Sequence, residues 1–145
     1  ERNADVAYSF AAYHVPLYPG YRSPRDKHSR AGRRHWLPLF DRHGLTTAFE
    51  HHDHVLKRSK RLKENHVDAS GTLYLGDGCM GKPRRLVTAP RQENRRKRWY
   101  IANLEGIPHF WQVDVDGEGV HYRAIDEKGK VVDAYRLEPP VRTVD

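Results

Sequence analysis

The sequence has a single cysteine, Cys79, which excludes an internal disulfide framework and any Cys-based zinc site. It lacks the roughly 18–20 consecutive apolar residues that a membrane-spanning helix needs. Its uninterrupted apolar runs are short, Phe10–Tyr13 among them. Gly76, Gly78 and Gly81 punctuate one loop, but no Gly-x-x-x-x-Gly-Lys-Ser/Thr accompanies them, so a P-loop is rejected. No RRM, KH, zinc-finger or basic-zipper pattern occurs, and nucleic acid is not the expected partner. The chain opens Glu1-Arg2-Asn3 without an initiator Met, and the expectation is a piece of something longer or a processed product.

What is present fits one ordinary domain: 145 residues, 37% hydrophobic, with three Trp, eight Tyr and four Phe. Such a chain can bury roughly two thirds of its unfolded surface. Charged residues make up 31%, and 26 Lys and Arg against 19 Asp and Glu leave a formal net charge of +7. That balance suits an anionic partner. The basic residues cluster at Arg22–Arg34, Lys57–Lys63 and Arg91–Arg98, the last being densest. Such a run is ordinarily a solvated face; a polyanion-binding patch is the competing reading. Ten histidines are the unusual count.

Asp5–Tyr13 is a mostly apolar run of strand length, halted at His14-Val15-Pro16. Its near-continuous apolar character predicts a sheet covered on both faces. Tyr21–Arg34 reads as an irregular basic excursion. His35–His43 is spaced as a short helix, with Pro38 near its start and Gly44 as its stop. Leu45–Glu50 is a second strand running into His51-His52-Asp53-His54. Strand, helix and strand form a βαβ unit, and parallel pairing would bring both histidine-bearing ends to one carboxyl edge, where open α/β sheets bind ligands. Lys57–Asn65 reads as helix or loop, Gly71–Leu75 as a third strand. From Trp99 onward short β segments follow: Trp99–Asn103, His109–Val115, Val120–Ile125 and Lys130–Leu137, with turns at Asp116–Gly119 and Asp126–Gly129. Pro139-Pro140 closes this antiparallel meander.

His52 and His54 are two apart, so extended backbone would point both imidazoles one way and Asp53 the other. His14, at the neighbouring strand end, would complete a partial ligand set for Zn, Fe or Mn. Two adjacent cations also need carboxylates, and neutral imidazoles offer no charge. Asp77 is the nearest candidate. The acidic half of such a site is therefore expected outside this chain.

The run Ala11-Ala12-Tyr13-His14-Val15-Pro16-Leu17-Tyr18 resembles the strand-end His-x-Pro-x-Tyr of purple acid phosphatases and related calcineurin-like metallophosphoesterases. His51-His52-Asp53-His54-Val55-Leu56-Lys57-Arg58 resembles their Gly-His-x-His-x-Tyr-x-Arg block, and Gly71–Gly78 their next strand and glycine turn. The resemblance covers roughly residues 5–137. It implies an α/β fold, part of a four-layer α/β/β/α metallophosphoesterase sandwich ending in an antiparallel β meander. It implies phosphate ester hydrolysis at two metal ions (Fe, Zn or Mn), with a metal-bound hydroxide as nucleophile. His14 and His52 would bind one ion and His54 the other; Arg58 would be structural or stand behind the ligands. Arg22 would draw the substrate anion. His51, where the family has Gly, adds either a substrate contact or proton donor or an exposed surface residue. Export, as a secreted or periplasmic protein, is implied too.

Departures matter. His51 stands where the family has Gly, and Leu56 where it has an aromatic. The Asp-x-His, Gly-Asp and Gly-Asn-His blocks that supply the carboxylates are absent. The chain is thus expected to be the C-terminal portion of the domain, inactive without the missing N-terminal half. Within it, residues 1–56 form the βαβ unit with the histidines, 57–98 a basic connecting segment with one strand, and 99–138 the meander. A basic polyanion-binding module and a non-catalytic remnant of the fold stay as alternatives.

Overall fold

The computed structural model describes residues 6–77, 80–87 and 98–138. The first apolar run gives a strand only at its end, β1 (Phe10–Tyr13). Helix α1 (Lys27–His35) then forms inside the segment expected to be irregular. Its sequence has little apolar signal, but Asp26 caps it, accepting from the His28 amide at 2.9 Å and the Ser29 amide at 3.4 Å. Its inner face is held by tertiary contact. Ser29 is buried, a Cβ on Gly32 would meet Leu17 Cδ1 at 2.8 Å, and Arg33 donates to the carbonyls of Leu17 and Pro24. Helix α2 (Leu37–Arg42) begins with Pro38 and stops at Gly44, whose φ of +61° lets the Leu45 amide reach the Phe40 carbonyl at 3.0 Å. These are the start and stop that the sequence predicts.

Strand β2 (Thr47–Glu50) pairs in parallel with β1, closing the expected βαβ unit. The chain continues through β3 (Leu56–Ser59), a small hairpin of β4 (Leu62–Lys63) and β5 (His66–Val67), then β6 (Leu73–Gly76) and β7 (Ile101–Glu105). One five-stranded sheet results, in the order β1-β2-β6-β3-β7. β6 is parallel to β2, whereas β3 runs antiparallel to both β6 and β7. Strands β8 (His109–Asp116), β9 (Gly119–Asp126) and β10 (Val131–Leu137) form the antiparallel meander as a second sheet.

The large sheet is apolar on both sides. Ala48 and Tyr74 pack with Leu17, Tyr18, Leu37, Leu62 and Tyr100 on its helical face. Leu73 and Leu75 face the meander through Val120, Tyr122 and Leu137. A hydrogen bond of 2.5 Å between the Thr47 and Tyr122 hydroxyls crosses between the sheets, and burial pushes the Tyr122 phenol up to about 12. Three layers follow, helices on sheet on sheet, within the described residues.

Several expectations change. Residues 57–98 hold β3 through β6 rather than one strand. Lys57 lies buried in the middle of a strand, because the basic cluster around it is spent on internal partners rather than on solvent. β7 joins the large sheet, not the meander, because it pairs with β3 from Leu56↔Glu105 to Ser59↔Ile101. β1 is an edge strand with Phe10 and Ala12 exposed, so it is not covered on both faces. Positions 91–97 of the densest basic run, Cys79 and Pro139-Pro140 lie outside the described residues.

The feature that joins these elements is a buried polar knot. Lys57 Nζ donates to Glu50 Oε2 and, at 2.9 Å, to the Tyr18 carbonyl. Glu50 Oε1 accepts from the Tyr13 hydroxyl at 2.8 Å and the Leu17 amide at 2.6 Å. Gly76, paired with Lys57, clears the space: a Cβ there would stand 2.8 Å from the Lys57 Cβ. Removing one member of a buried ion pair strands the other. Lys57→Met is expected to cost about 3–5 kcal/mol in urea unfolding. Adding Glu50→Gln, which removes the stranded charge but keeps an acceptor for Tyr13 and Leu17, should recover at least about half of that loss. A double variant as unstable as the single one would show that the ion pair is not the cause.

Candidate functional site

The three parallel strands end in register: Tyr13 pairs with Glu50, and Glu50 with Gly76. The residues that follow, His14, His51 and Asp77, therefore stand side by side along one carboxyl edge. Backbone bonds continue the alignment, from the His51 amide to the His14 carbonyl at 3.2 Å and from the Asp77 amide to the Glu50 carbonyl at 3.1 Å. The shared edge expected for both histidine-bearing strand ends is present.

After β2 the chain does not stay extended. His51–His54 forms a turn closed by the His54 amide on the His51 carbonyl at 3.2 Å, with His54 at φ +53°. The two-residue alternation expected to aim His52 and His54 alike therefore does not apply. The cause is Asp53. Its side chain is only 5% exposed. One oxygen accepts from the amides of Gly20 at 2.7 Å and Tyr21 at 2.9 Å, the other from the Arg22 amide at 3.3 Å. Folding Asp53 inward onto that loop bends the backbone on either side of it.

The turn brings His52 Nδ1 to 2.8 Å from His14 Nε2, with the rings 4.7 Å apart between centroids. Nitrogens at this distance share a hydrogen bond; as neighbouring tetrahedral ligands of one cation they would have to part to about 3.4 Å. Burial, then the charges of Arg22 and His14, hold the His52 imidazole below the usual histidine range. Burial, then Arg85, Lys82 and Arg22, do the same for His54. Both rings thus favour the neutral form that metal ligation requires.

His14 and His52 offer two imidazole nitrogens to one point, which is only part of a cation's ligand set. Among the described residues, no group of three or more His, Cys, Asp or Glu side chains is arranged to hold a metal ion. A complete two-metal centre does not fit these residues alone. Asp53 is committed to its loop, and Asp77 pairs through Oδ1 with His51 Nδ1.

Arg22, expected as a substrate contact, packs against the histidine turn. Its Nη2 reaches the His52 carbonyl at 3.5 Å, its Nε lies 3.5 Å from Asp53 Oδ1, and its side chain is 40% exposed. Arg58 is structural, donating from Nε at 2.8 Å and Nη2 at 3.0 Å to the two Asp133 oxygens beneath the Tyr135 ring. Sequence reasoning missed the anchoring role of Asp53 and the pairing of Asp77 with His51. The second was within reach, because aligning the ends of three parallel strands places residue 77 beside residue 51. Two clefts among the described residues lie elsewhere, one beside Asp41, Arg42 and Asn65, the other at the opposite end of the strands by Tyr8, Thr46 and Ser70.

No protein-family model matches the chain, and no curated protein matches it by sequence. Solved structures do match in shape. Purple acid phosphatase PPD1 from yellow lupin (Lupinus luteus) seeds aligns with a TM-score of 0.68 and 15% identity, over 90% of this chain. GAP50, the anchor in the inner membrane complex of Plasmodium, aligns with a TM-score of 0.65 and 12% identity, over 88% of this chain. The chain spans 25% of the first and 35% of the second. At these identities the likeness shows the fold: mixed α/β of the metallophosphoesterase type, ending in an antiparallel meander.

Asp53→Ala leaves the loop amides without acceptors, at about 1–3 kcal/mol for each buried one. The expected loss in urea unfolding is about 3 kcal/mol, with hydrogen exchange at Gly20 and Tyr21 accelerated at least about thirtyfold. Unchanged protection at both amides would refute the anchor.

Proposed function

We propose that the chain is the histidine-bearing, C-terminal portion of a metal-dependent phosphoric ester hydrolase. The observation that carries this reading is the His14–His52 pair at the carboxyl edge of a parallel βαβ unit, in a fold shared with a purple acid phosphatase. His14 and His52 hold one cation of the Fe, Zn or Mn class; His54 ligates the second. When bound, such cations supply Lewis acidity and charge neutralisation to a phosphoryl group.

The chain's own residues do the rest. Asp77 receives the Nδ1 proton of His51, which fixes the tautomer and leaves Nε2 to give or take a proton at the ester oxygen. Arg22 offers its outer guanidinium nitrogens to the phosphoryl oxygens. The carboxylates come from the N-terminal half of the same domain. The uncovered edge of β1, with Phe10 43% exposed, supports a further layer of sheet on that side. Export from the cell belongs to the same reading. No helix among the described residues is long and apolar enough to cross a membrane.

A second reading, a non-catalytic member of the fold, is favoured by the incomplete metal grouping and by a neighbour named as an anchor. Metal binding separates the two. Equilibrium dialysis against Zn²⁺ or Mn²⁺ should show one ion per chain. His14→Ala and His52→Ala should each weaken it by at least about 100-fold, the upper end of what losing an outer hydrogen-bond partner of a metal ligand costs. In the protein as expressed from its gene, His52→Ala should also abolish hydrolysis of p-nitrophenyl phosphate. Unchanged metal content and turnover in that variant would end the assignment.

A further inference from the structure

Beside the histidine turn, Arg22, which the hydrolytic reading uses, is joined by two cations that it does not use, Arg85 and Arg98. Tyr21, 41% exposed, is the centre of the group. The Arg85 guanidinium stacks over the Tyr21 ring at 4.8 Å, and Arg98 Nη2 donates to the Tyr21 carbonyl at 2.9 Å. Arg22 follows in sequence, on the same loop that Asp53 gathers. Arg85, Lys82 and Arg22 all bear on the His54 ring, so this cluster adjoins the histidine edge. The Nε atoms of Arg22, Arg85 and Arg98 are each buried without a hydrogen-bond partner. The one carboxylate recorded against the cluster, among the described residues, is Asp53, already engaged by three amides.

Asp53 is the counter-charge of Arg22; among the described residues no carboxylate is paired with Arg85 or Arg98. Stacking on Tyr21 holds the first and a bond to the Tyr21 carbonyl the second, and neither neutralises the charge. Planar forks held this way, next to a site for one phosphoryl group, match the oxygens of another. We propose that Arg85 and Arg98, held on Tyr21 beside Arg22, form a second anion subsite, and that the substrate is an ester carrying a further phosphoryl group beyond the one that is cut. The inference deepens the hydrolase reading and rests on it for which bond breaks, but not for binding itself.

Isothermal titration of the metal-free chain, at fixed ionic strength, with inorganic tripolyphosphate and with orthophosphate tests the subsite. Tripolyphosphate should bind at least about tenfold tighter, as one added charge-assisted contact provides. The double variant R85Q/R98Q should lose about thirtyfold in tripolyphosphate affinity. Should the double variant misfold, K82Q, at an exposed position, should still weaken tripolyphosphate about threefold. Equal affinity for the two anions, or variants that bind tripolyphosphate like the parent, would overturn the subsite. A single-stranded oligonucleotide displacing tripolyphosphate at far lower concentration would overturn the small-ester assignment. Failure of the hydrolase reading registers separately, as metal binding unchanged in His52→Ala, and leaves these affinities as they are.

Discussion

The carboxylate of Glu50 is the point on which the architecture turns. It ends β2, takes the Tyr13 hydroxyl from the end of β1, the Leu17 amide from the loop beyond it and the Lys57 ammonium from β3. A buried charge is tolerated only when paired and fully hydrogen-bonded, and each partner here comes from a different element. The knot therefore specifies register as well as stability. If β1 slipped by one residue against β2, Tyr13 would turn to the other face and the carboxylate would lose a donor. Because Tyr13 and Glu50 immediately precede His14 and His51, the same constraint sets the histidine edge. Burial and the neighbouring Glu50 charge push the Tyr13 phenol far up, so this donor stays protonated.

Positive charge is distributed by task rather than by surface area. Lys57, Arg33 and Arg58 are internal fasteners, satisfied respectively by Glu50, by loop carbonyls and by Asp133. Arg85 and Arg98 are gathered instead by Tyr21, next to Arg22, and are the cations proposed above to meet an anion. The net charge of +7 thus reports two different things, and composition cannot separate them. Asp53 shows the converse: a carboxylate between two histidines, where a ligand would be convenient, is used to hold a loop.

Local chemistry carried the expectations that the structure bears out. Pro16 and Gly44 end elements because of what their backbones can do, and the turns at Asp116–Gly119 and Asp126–Gly129 follow from their own residues. Alternation along β8 to β10 was visible for the same reason. The failures share a cause. Helix α1 depends on Asp26 as a cap and on Leu17 beneath Gly32, one signal short and the other remote. β3 looked like a polar loop because Lys57 and Arg58 are hydrophilic as isolated residues; only their partners, seven and seventy-five positions away, make them interior.

By itself, the sequence determined that two histidine-bearing strand ends would share one carboxyl edge, since a strand, a helix and a strand of these lengths pair in parallel. It also marked Asp77 as the nearest carboxylate to that edge. Tertiary structure decided which side chains meet there. The turn imposed by Asp53 brings His52 to His14, the in-register end of β6 brings Asp77 to His51, and Tyr21 collects arginines from positions 85 and 98. Those pairings depend on long-range packing, and no spacing along the chain encodes a contact between residues whose separation is set by the fold of everything between them.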